Sequence, residues 1–295
     1  WGSWAFLMVT CLMLFGVGMA LDLPIIFFNL AYVYLALCLF FLERFMPHER
    51  AWLGNDGQLA QDLLHTLSSK GLVQGLLMFG GVIGLSNWLV PAAEASRGIW
   101  PHEWPIASQV ILGVVAGEFM LYWAHRLGHR WPPMWAFHAI HHSVKRLWIV
   151  NTGRFHFIDS LISIVMALGL LIWLGAPMEV VKWLSAVTAF IGLLTHCNVD
   201  MKFGPISWLF NTPELHRWHH SKDLREGDKN YGENVMLWDW VFRSYFNEDR
   251  RPPVDIGIKQ PMPVPFRHQL LYPFRRNYYH SLKFKRMHKD PNVFY

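Results

Sequence analysis

Histidine is the residue type in this sequence that can do chemistry. Eight of the sixteen histidines fall into three short boxes: His125-Arg126-Leu127-Gly128-His129, His138-Ala139-Ile140-His141-His142 and His216-Arg217-Trp218-His219-His220. On an α-helix, residues three and four apart share a face. His125 is therefore expected beside His129, His138 beside His141 and His142, and His216 beside His219 and His220. Zinc takes four protein ligands in structural sites and three in catalytic ones. Eight converging imidazoles exceed that, so two metal ions fit better than one. Imidazole binds iron, zinc, copper and nickel alike, and ligand type alone does not choose among them.

The elements that must position these boxes read as membrane spans. Hydrophobic residues make up 53% of the chain and charged residues only 16%, too apolar a balance for an ordinary soluble enzyme of this length. Apolar runs at 4–21, 24–42, 71–90, 106–124, 160–175 and 178–196 approach the length needed to cross a bilayer. The run at 160–175 is short, so its hairpin with 178–196, hinged at Gly175-Ala176-Pro177, is expected to be tilted or partly inserted. The sequence starts at Trp1 without methionine, as an incomplete or processed N-terminus would. Residues 4–21 lack a basic leader and a cleavage site and read as a span, not a signal peptide. The expected fold is all-α, an integral-membrane helical bundle with a cytoplasmic histidine-rich cap. The cytoplasmic side follows from the loops at 22–24 and 174–178, which carry no Lys or Arg, whereas the box-bearing segments carry several. A net charge of +5 is then better matched to anionic lipid than to nucleic acid. Three parts are expected: N-terminal spans over 1–105, a catalytic region over 106–248, and a Pro-rich basic tail over 249–295 lying along lipid. Cys11, Cys38 and Cys197 sit in or beside apolar runs and read as small core residues.

The order of the boxes, with an apolar hairpin between the second and third, resembles the fatty acid hydroxylase and sterol desaturase superfamily of integral-membrane di-iron oxygenases. The resemblance covers residues 106–248 and extends loosely to the earlier spans. Asn211-Thr212-Pro213-Glu214-Leu215, Asn230-Tyr231-Gly232 and Trp238-Asp239 are similar to the branch containing alkylglycerol monooxygenase and bacterial sterol desaturase-like proteins. The resemblance implies two further metal ligands, His156 and His196, which brings the set to His125, His129, His138, His141, His142, His156, His196, His216, His219 and His220. Two departures stand out. Phe157 follows His156 where the family often has proline, and Arg243 follows Phe242 where relatives usually keep glycine.

The resemblance further implies two iron ions, O2 as co-substrate, and hydroxylation or desaturation of a C–H bond in a sterol, an alkylglycerol or an acyl chain. No dinucleotide or haem fingerprint and no cysteine cluster is evident. Electrons are therefore expected from a separate donor: a ferredoxin, a cytochrome or a reduced pterin. Neutral imidazoles need acceptors that fix their tautomers, and Asp159, Asp200, Glu214, Asp223, Asp228 and Asp239 are the candidates. Glu118 and Tyr122 share a helical face with His125 and His129. Glu118 is read either as facing a lipid tunnel or ligand or as making an interhelical hydrogen bond. His65 reads as structural, and His48, His102, His268, His280 and His288 have no partner at ligand spacing. Two other classes remain open: a catalytically silent subunit of a larger membrane complex, and a zinc-dependent membrane enzyme.

Overall fold

The computed structural model describes residues 2–72 and 98–275. These form α1 (Ser3–Ala20), α2 (Pro24–Phe45), α3 (Leu59–Thr66), α4 (Ile106–Arg130), α5 (Pro132–His142), α6 (Phe157–Leu174), α7 (Met178–Thr195), α8 (Pro213–His219), α9 (Leu237–Val241) and α10 (Phe266–Leu271), joined by loops and single helical turns. No strand occurs among the described residues, where β-pairing is limited to isolated bridges such as Phe210 with Val235. Five of the helices, α1, α2, α4, α6 and α7, are long and apolar enough to cross a membrane. The expected span over 71–90 lies, except for its first two residues, outside the described residues.

These five helices bury one stripe and leave large apolar side chains on the other. Phe6, Val9 and Met13 of α1, Val33, Leu37 and Phe41 of α2, and Trp173 of α6 are exposed. Such surface is adverse in water and neutral against hydrocarbon, while the helical form satisfies every backbone group within the segment. The α1–α2 hairpin packs on α7, with Cys11, Phe15, Leu35, Leu39, Phe190 and Leu194 in one buried cluster. The Phe15 ring stands edge-on to Trp183 at 4.9 Å.

Two lengths matter for the boxes. At about 1.5 Å per residue, α4 is about 37 Å long against a hydrocarbon thickness of about 30 Å, more than one crossing needs, and it carries His125 and His129 in its last two turns. Helix α6 differs from the expected short span. It begins at Phe157, because the His156 imidazole caps it by accepting the Ile158 N–H at 3.1 Å, and it ends at Gly175, whose φ of 83° lies in the left-handed region. At 18 residues it is about 27 Å long, close to a full crossing.

The described part of the expected tail packs on the rest of the chain. Ile256 packs with Trp52, Val144 and Leu147, the Gln269 amide oxygen meets His65 Nε2 at 2.8 Å, and Phe274 packs on Phe137. This apolar and amide chemistry docks residues 250–275 onto the body. The basic residues from Arg276 onward lie outside the described residues.

Candidate metal centre

Helix α4 delivers His125 and His129, α5 delivers His138, His141 and His142, the end of α7 delivers His196, and α8 with its C-cap delivers His216, His219 and His220. Gly128 permits the first meeting, since a Cβ there would sit 3.2 Å from His138 Cγ. All nine imidazoles are buried, and they divide into two groups. His125, His129, His138, His142 and His219 form one; His141, His196, His216 and His220 form the other. Within each, the potential donor atoms lie within 4.8 Å of one another. The sequence expectation that His138, His141 and His142 act together is thus modified. His138 and His142, four apart, share one group, and His141 turns to the other. The third box repeats the split, with His216 and His220 in the second group and His219 in the first. The groups abut through His142 and His220, stacked at 4.4 Å.

The donor chemistry fits cations. His125 donates Nδ1–H to the Tyr231 carbonyl at 2.8 Å, His219 to the Lys229 carbonyl at 2.6 Å, His129 to Asp228 at 3.1 Å, His138 to Asp159 at 2.9 Å and His196 to Asn151 Oδ1 at 3.0 Å. A neutral imidazole with Nδ1 protonated has only a lone pair on Nε2. Yet the Nε2 atoms of His129 and His138 lie 3.0 and 3.1 Å from His142 Nε2, which has at most one proton to offer. His196 and His216 Nε2 approach to 2.9 Å, and His220 Nε2 lies 3.1 Å from His216 and 3.2 Å from His141. Converging lone pairs in a buried site repel unless a cation sits among them. Two nitrogens at about 2.1 Å from one ion and at right angles are about 3 Å apart, the separation seen here. The Nε2 atoms of His125 and His219 are buried without a hydrogen-bond partner, as ligands awaiting an ion would be.

Electrostatics agrees. Burial first, then the neighbouring imidazoles, holds His141, His142, His216, His219 and His220 well below the usual histidine range. At neutral pH they are unprotonated, the form a metal requires.

His156 is not brought to either group. It is fully buried, but its Nδ1 accepts the Ile158 N–H and its Nε2 donates to the Leu270 carbonyl at 3.2 Å. Both ring nitrogens are engaged by backbone, and the two groups gather the other nine of the ten histidines. His65 bonds Phe155 and Gln269 through its two nitrogens. His48, His102 and His268 belong to neither group, and His280 and His288 lie outside the described residues.

Of the acidic candidates, Asp159 and Asp228 meet histidine directly. Asp239 acts one bond further out. Its carboxylate accepts the backbone N–H of Tyr231 and Gly232 and the Ser244 hydroxyl, which fixes the carbonyl that holds His125. Burial pushes its carboxyl up to about 6 against those three donors. Asp223 caps the turn Leu224–Gly227, Glu214 sits in the first turn of α8, and Asp200 is exposed. Glu118 anchors a loop and not a neighbouring helix: it accepts Asn234 N–H at 3.0 Å, Asn234 Nδ2 at 2.7 Å, and the Glu233 N–H, all from the segment before α9. Tyr122 bonds Ser244 at 2.8 Å. Sequence reasoning missed Asn151 and the carbonyls of Lys229 and Tyr231. The carbonyls belong to every residue type and leave no mark in a sequence. Asn151 carried one faint signal, a polar residue immediately after the apolar Trp148-Ile149-Val150.

Beside the histidines lies a cavity of about 60 Å³, bordered by members of both groups and by Phe155, Thr188, Thr195, Asn211 and Glu233. The arrangement is a pair of imidazole groups, each able to hold a cation, facing a small chamber.

Comparison with known proteins gives the same direction. The sequence model of the fatty acid hydroxylase family matches residues 110–244. An ornithine lipid hydroxylase of Rhizobium tropici is 48% identical over 257 residues, covering 86% of this chain and 78% of that protein. The alkylglycerol monooxygenase of Homo sapiens is 28% identical over 55% of this chain, which spans only 35% of that longer protein. A fatty acid hydroxylase of a Lecanicillium species is 26% identical over 58% of this chain and 56% of its own. No solved structure matches the chain.

Proposed function

The chain belongs to the fatty acid hydroxylase family, and from that premise we propose that it hydroxylates an amino-acid-bearing membrane lipid of the ornithine lipid type, using two irons held by the nine clustered histidines. The observation that carries this reading is the pair of buried imidazole groups, with Nε2 atoms at 2.9–3.2 Å, facing one cavity. The substrate class is supported by the 48% identity to an ornithine lipid hydroxylase over most of both chains. Held by His125, His129, His138, His142 and His219 and by His141, His196, His216 and His220, two irons would supply O2 activation, by which one oxygen atom would enter a C–H bond and the other leave as water, with two electrons and two protons drawn from an external donor.

The chain's own residues do the rest. Asp159, Asp228, Asn151 and the carbonyls of Lys229 and Tyr231 hold the imidazole rings in one tautomer. Phe155, stacked on His141 at 4.0 Å, gives the cavity an apolar wall and keeps water from it. The loop charges support a cytoplasmic face for the clusters, where a soluble ferredoxin, a cytochrome or a reduced pterin would deliver electrons.

The test is to express the chain in a bacterium that makes ornithine lipid without hydroxylating it, and to read its lipids by mass spectrometry. The expected product is ornithine lipid heavier by one oxygen atom, the atom coming from isotopically labelled O2 and absent from the His141→Ala variant. An unchanged lipid profile in iron-replete, aerated cells containing the folded protein, or label arriving from water, would overturn the reading.

A further inference from the structure

Tyr122 and Tyr231 are fully buried phenols that the hydroxylation chemistry leaves unused. The Tyr231 ring stands 5.2 Å from His129, 5.8 Å from His125 and 6.0 Å from His219, three members of the five-histidine group. Tyr122 meets Tyr231 edge-on at 5.9 Å. The two rings form an aromatic row that ends on three imidazoles.

The Tyr122 hydroxyl has a place to send its proton. It lies 2.8 Å from the Ser244 hydroxyl, which donates to Asp239 Oδ1 at 2.7 Å. A hydroxyl has one proton to give, and Ser244 gives its own to the carboxylate, so Tyr122 is the donor in the first bond. Both distances lie within the roughly 2.6–3.2 Å over which a proton passes between positioned groups. Burial pushes the Asp239 carboxyl up to about 6, which makes its carboxylate a stronger base than that of an exposed aspartate.

Arg126 makes that route necessary. Its Nη1 donates to the Tyr122 oxygen at 2.6 Å, and its guanidinium lies 5.8 Å from the centre of the ring. Arginine keeps its charge. A Tyr122 ring that lost an electron and kept its proton would be a second cation beside it, at a cost that low-dielectric surroundings magnify. Losing the electron and the proton together leaves Tyr122 neutral. The turn after α9 fixes Ser244 for this purpose: Arg243 takes its left-handed φ of 57° there, the Ser244 N–H donates to the Asp239 carbonyl at 2.8 Å, and the Ser244 carbonyl accepts the Asn230 N–H at 2.9 Å.

We propose that Tyr122 is a redox-active tyrosine, giving one electron through the Tyr231 ring to the first histidine group while its proton passes to Ser244 and the proton of Ser244 passes to Asp239. The assignment rests on the reading of that group as an iron site that reacts with O2. The oxidant is the iron held there, reduced by one electron when O2 has reacted and no lipid C–H bond lies in reach. The Tyr122 O–H bond breaks, the Ser244 O–H bond is exchanged and an O–H bond forms on Asp239, which leaves a neutral tyrosyl radical. The external electron donor returns the electron, and the proton moves back along the same three oxygens. Turnover without substrate thereby spares the buried imidazoles from oxidation.

The test mixes the ferrous-loaded chain in detergent with O2 and no lipid, freezes it at intervals and records electron paramagnetic resonance. Iron content and melting temperature are measured on every variant. Wild type is expected to give an organic radical whose signal narrows when the protein is made with ring-deuterated tyrosine, and to form it more slowly in D2O. Tyr122→Phe should lose the signal and raise oxygen addition to the peptides bearing His125, His129 and His219 several-fold by mass spectrometry. Tyr231→Phe, which keeps the bridging ring, should keep the signal. Ser244→Ala should form it about 100-fold more slowly at unchanged iron content, the lower end of what a positioned proton acceptor contributes. An iron-loaded wild type that hydroxylates lipid yet gives no tyrosine-derived radical overturns the relay and leaves the hydroxylase reading intact. A signal undiminished in Tyr122→Phe, or lost in Tyr231→Phe, places the radical elsewhere and overturns it too. A wild-type rate in Ser244→Ala overturns the proton route. A chain that takes up no iron removes the reading beneath it.

Discussion

Asp159 gives the sharpest test of whether the two imidazole groups are separate metal sites. Its Oδ2 accepts His138 Nδ1–H at 2.9 Å, and the two side chains are 7% and 3% exposed, so water cannot take its place. The carboxylate fixes the tautomer that turns Nε2 inward and makes the imidazole a stronger base. Asp159→Asn keeps an acceptor but removes the charge. Changes of this kind weaken metal binding about 10- to 100-fold, or about 1.4–2.7 kcal/mol. His138 belongs to the five-histidine group, so the loss should fall on one of two metal equivalents. Detergent-solubilised holoprotein equilibrated with graded chelator, followed by elemental analysis, reads this directly: one equivalent leaves at a chelator strength lowered by that factor and the second at the wild-type value. Asn151→Leu, which removes the acceptor for His196, should weaken the other equivalent instead. Two equivalents lost together in either variant, or a wild-type profile in Asp159→Asn at unchanged melting temperature, would refute the reasoning.

Three further outcomes are expected. His156→Leu should leave both metal equivalents in place and cost about 1–3 kcal/mol of stability, because the Ile158 N–H and the Leu270 carbonyl lose their partner; a missing equivalent would restore His156 to the ligand set. Arg243 has φ of 57°, a left-handed conformation that costs a non-glycine residue about 1 kcal/mol. Arg243→Gly should therefore raise the melting temperature, and a fall would show that the side chain contributes more than the backbone strain costs. The metal-free protein should lose stability in acid. Burial first lowers His65 to about 4 from an ordinary value of 6.5. The folded state thus keeps the ring neutral while the unfolded chain takes up a proton below 6.5. Stability is complete above that pH and declines as pH falls toward 4, by about 3 kcal/mol for this residue. Denaturant midpoints across that range, flat in His65→Gln relative to wild type's slope, check the share that belongs to His65.

Most of the scaffold was legible because membrane spans and histidine boxes are local patterns. The runs at 4–21, 24–42 and 178–196 became helices within a few residues, since their apolar length alone determines that outcome in lipid. The run at 160–175 was read short because its first turn depends on an imidazole acting as a helix cap, and a histidine before Phe157 carries no capping signature. The same cap explains why His156, which the family resemblance implies as a ligand, stands outside both groups: the local backbone engages its lone pair. Arg243 shows the converse. The departure from glycine was visible, but only the positive φ explains what glycine does there. The supports for His125 and His219 are carbonyls contributed by the loop between α8 and α9; the first lies 106 residues away along the chain and the second only 10, and neither shows in the sequence because a carbonyl belongs to every residue type.

The division of the boxes follows from helix geometry that the sequence contained but did not resolve. Successive residues on a helix are about 100° apart, so residues i and i+4 differ by about 40° while i+3 falls about 60° to the other side. A His-x-x-His-His box therefore offers one close pair and one outlier. Helix α5 gives its pair, His138 and His142, to the first group and its outlier His141 to the second. Helix α8 does the opposite, with His216 and His220 in the second and His219 in the first. Neither helix can tilt without moving imidazoles of both groups. The stacked contact of His142 on His220 joins the close pairs of the two helices. His125 and His129 on α4 and His196 at the end of α7 then tie each group to a different membrane helix, so the spacing between the two sites is set by α5 and α8 and their anchoring by the bilayer-spanning bundle.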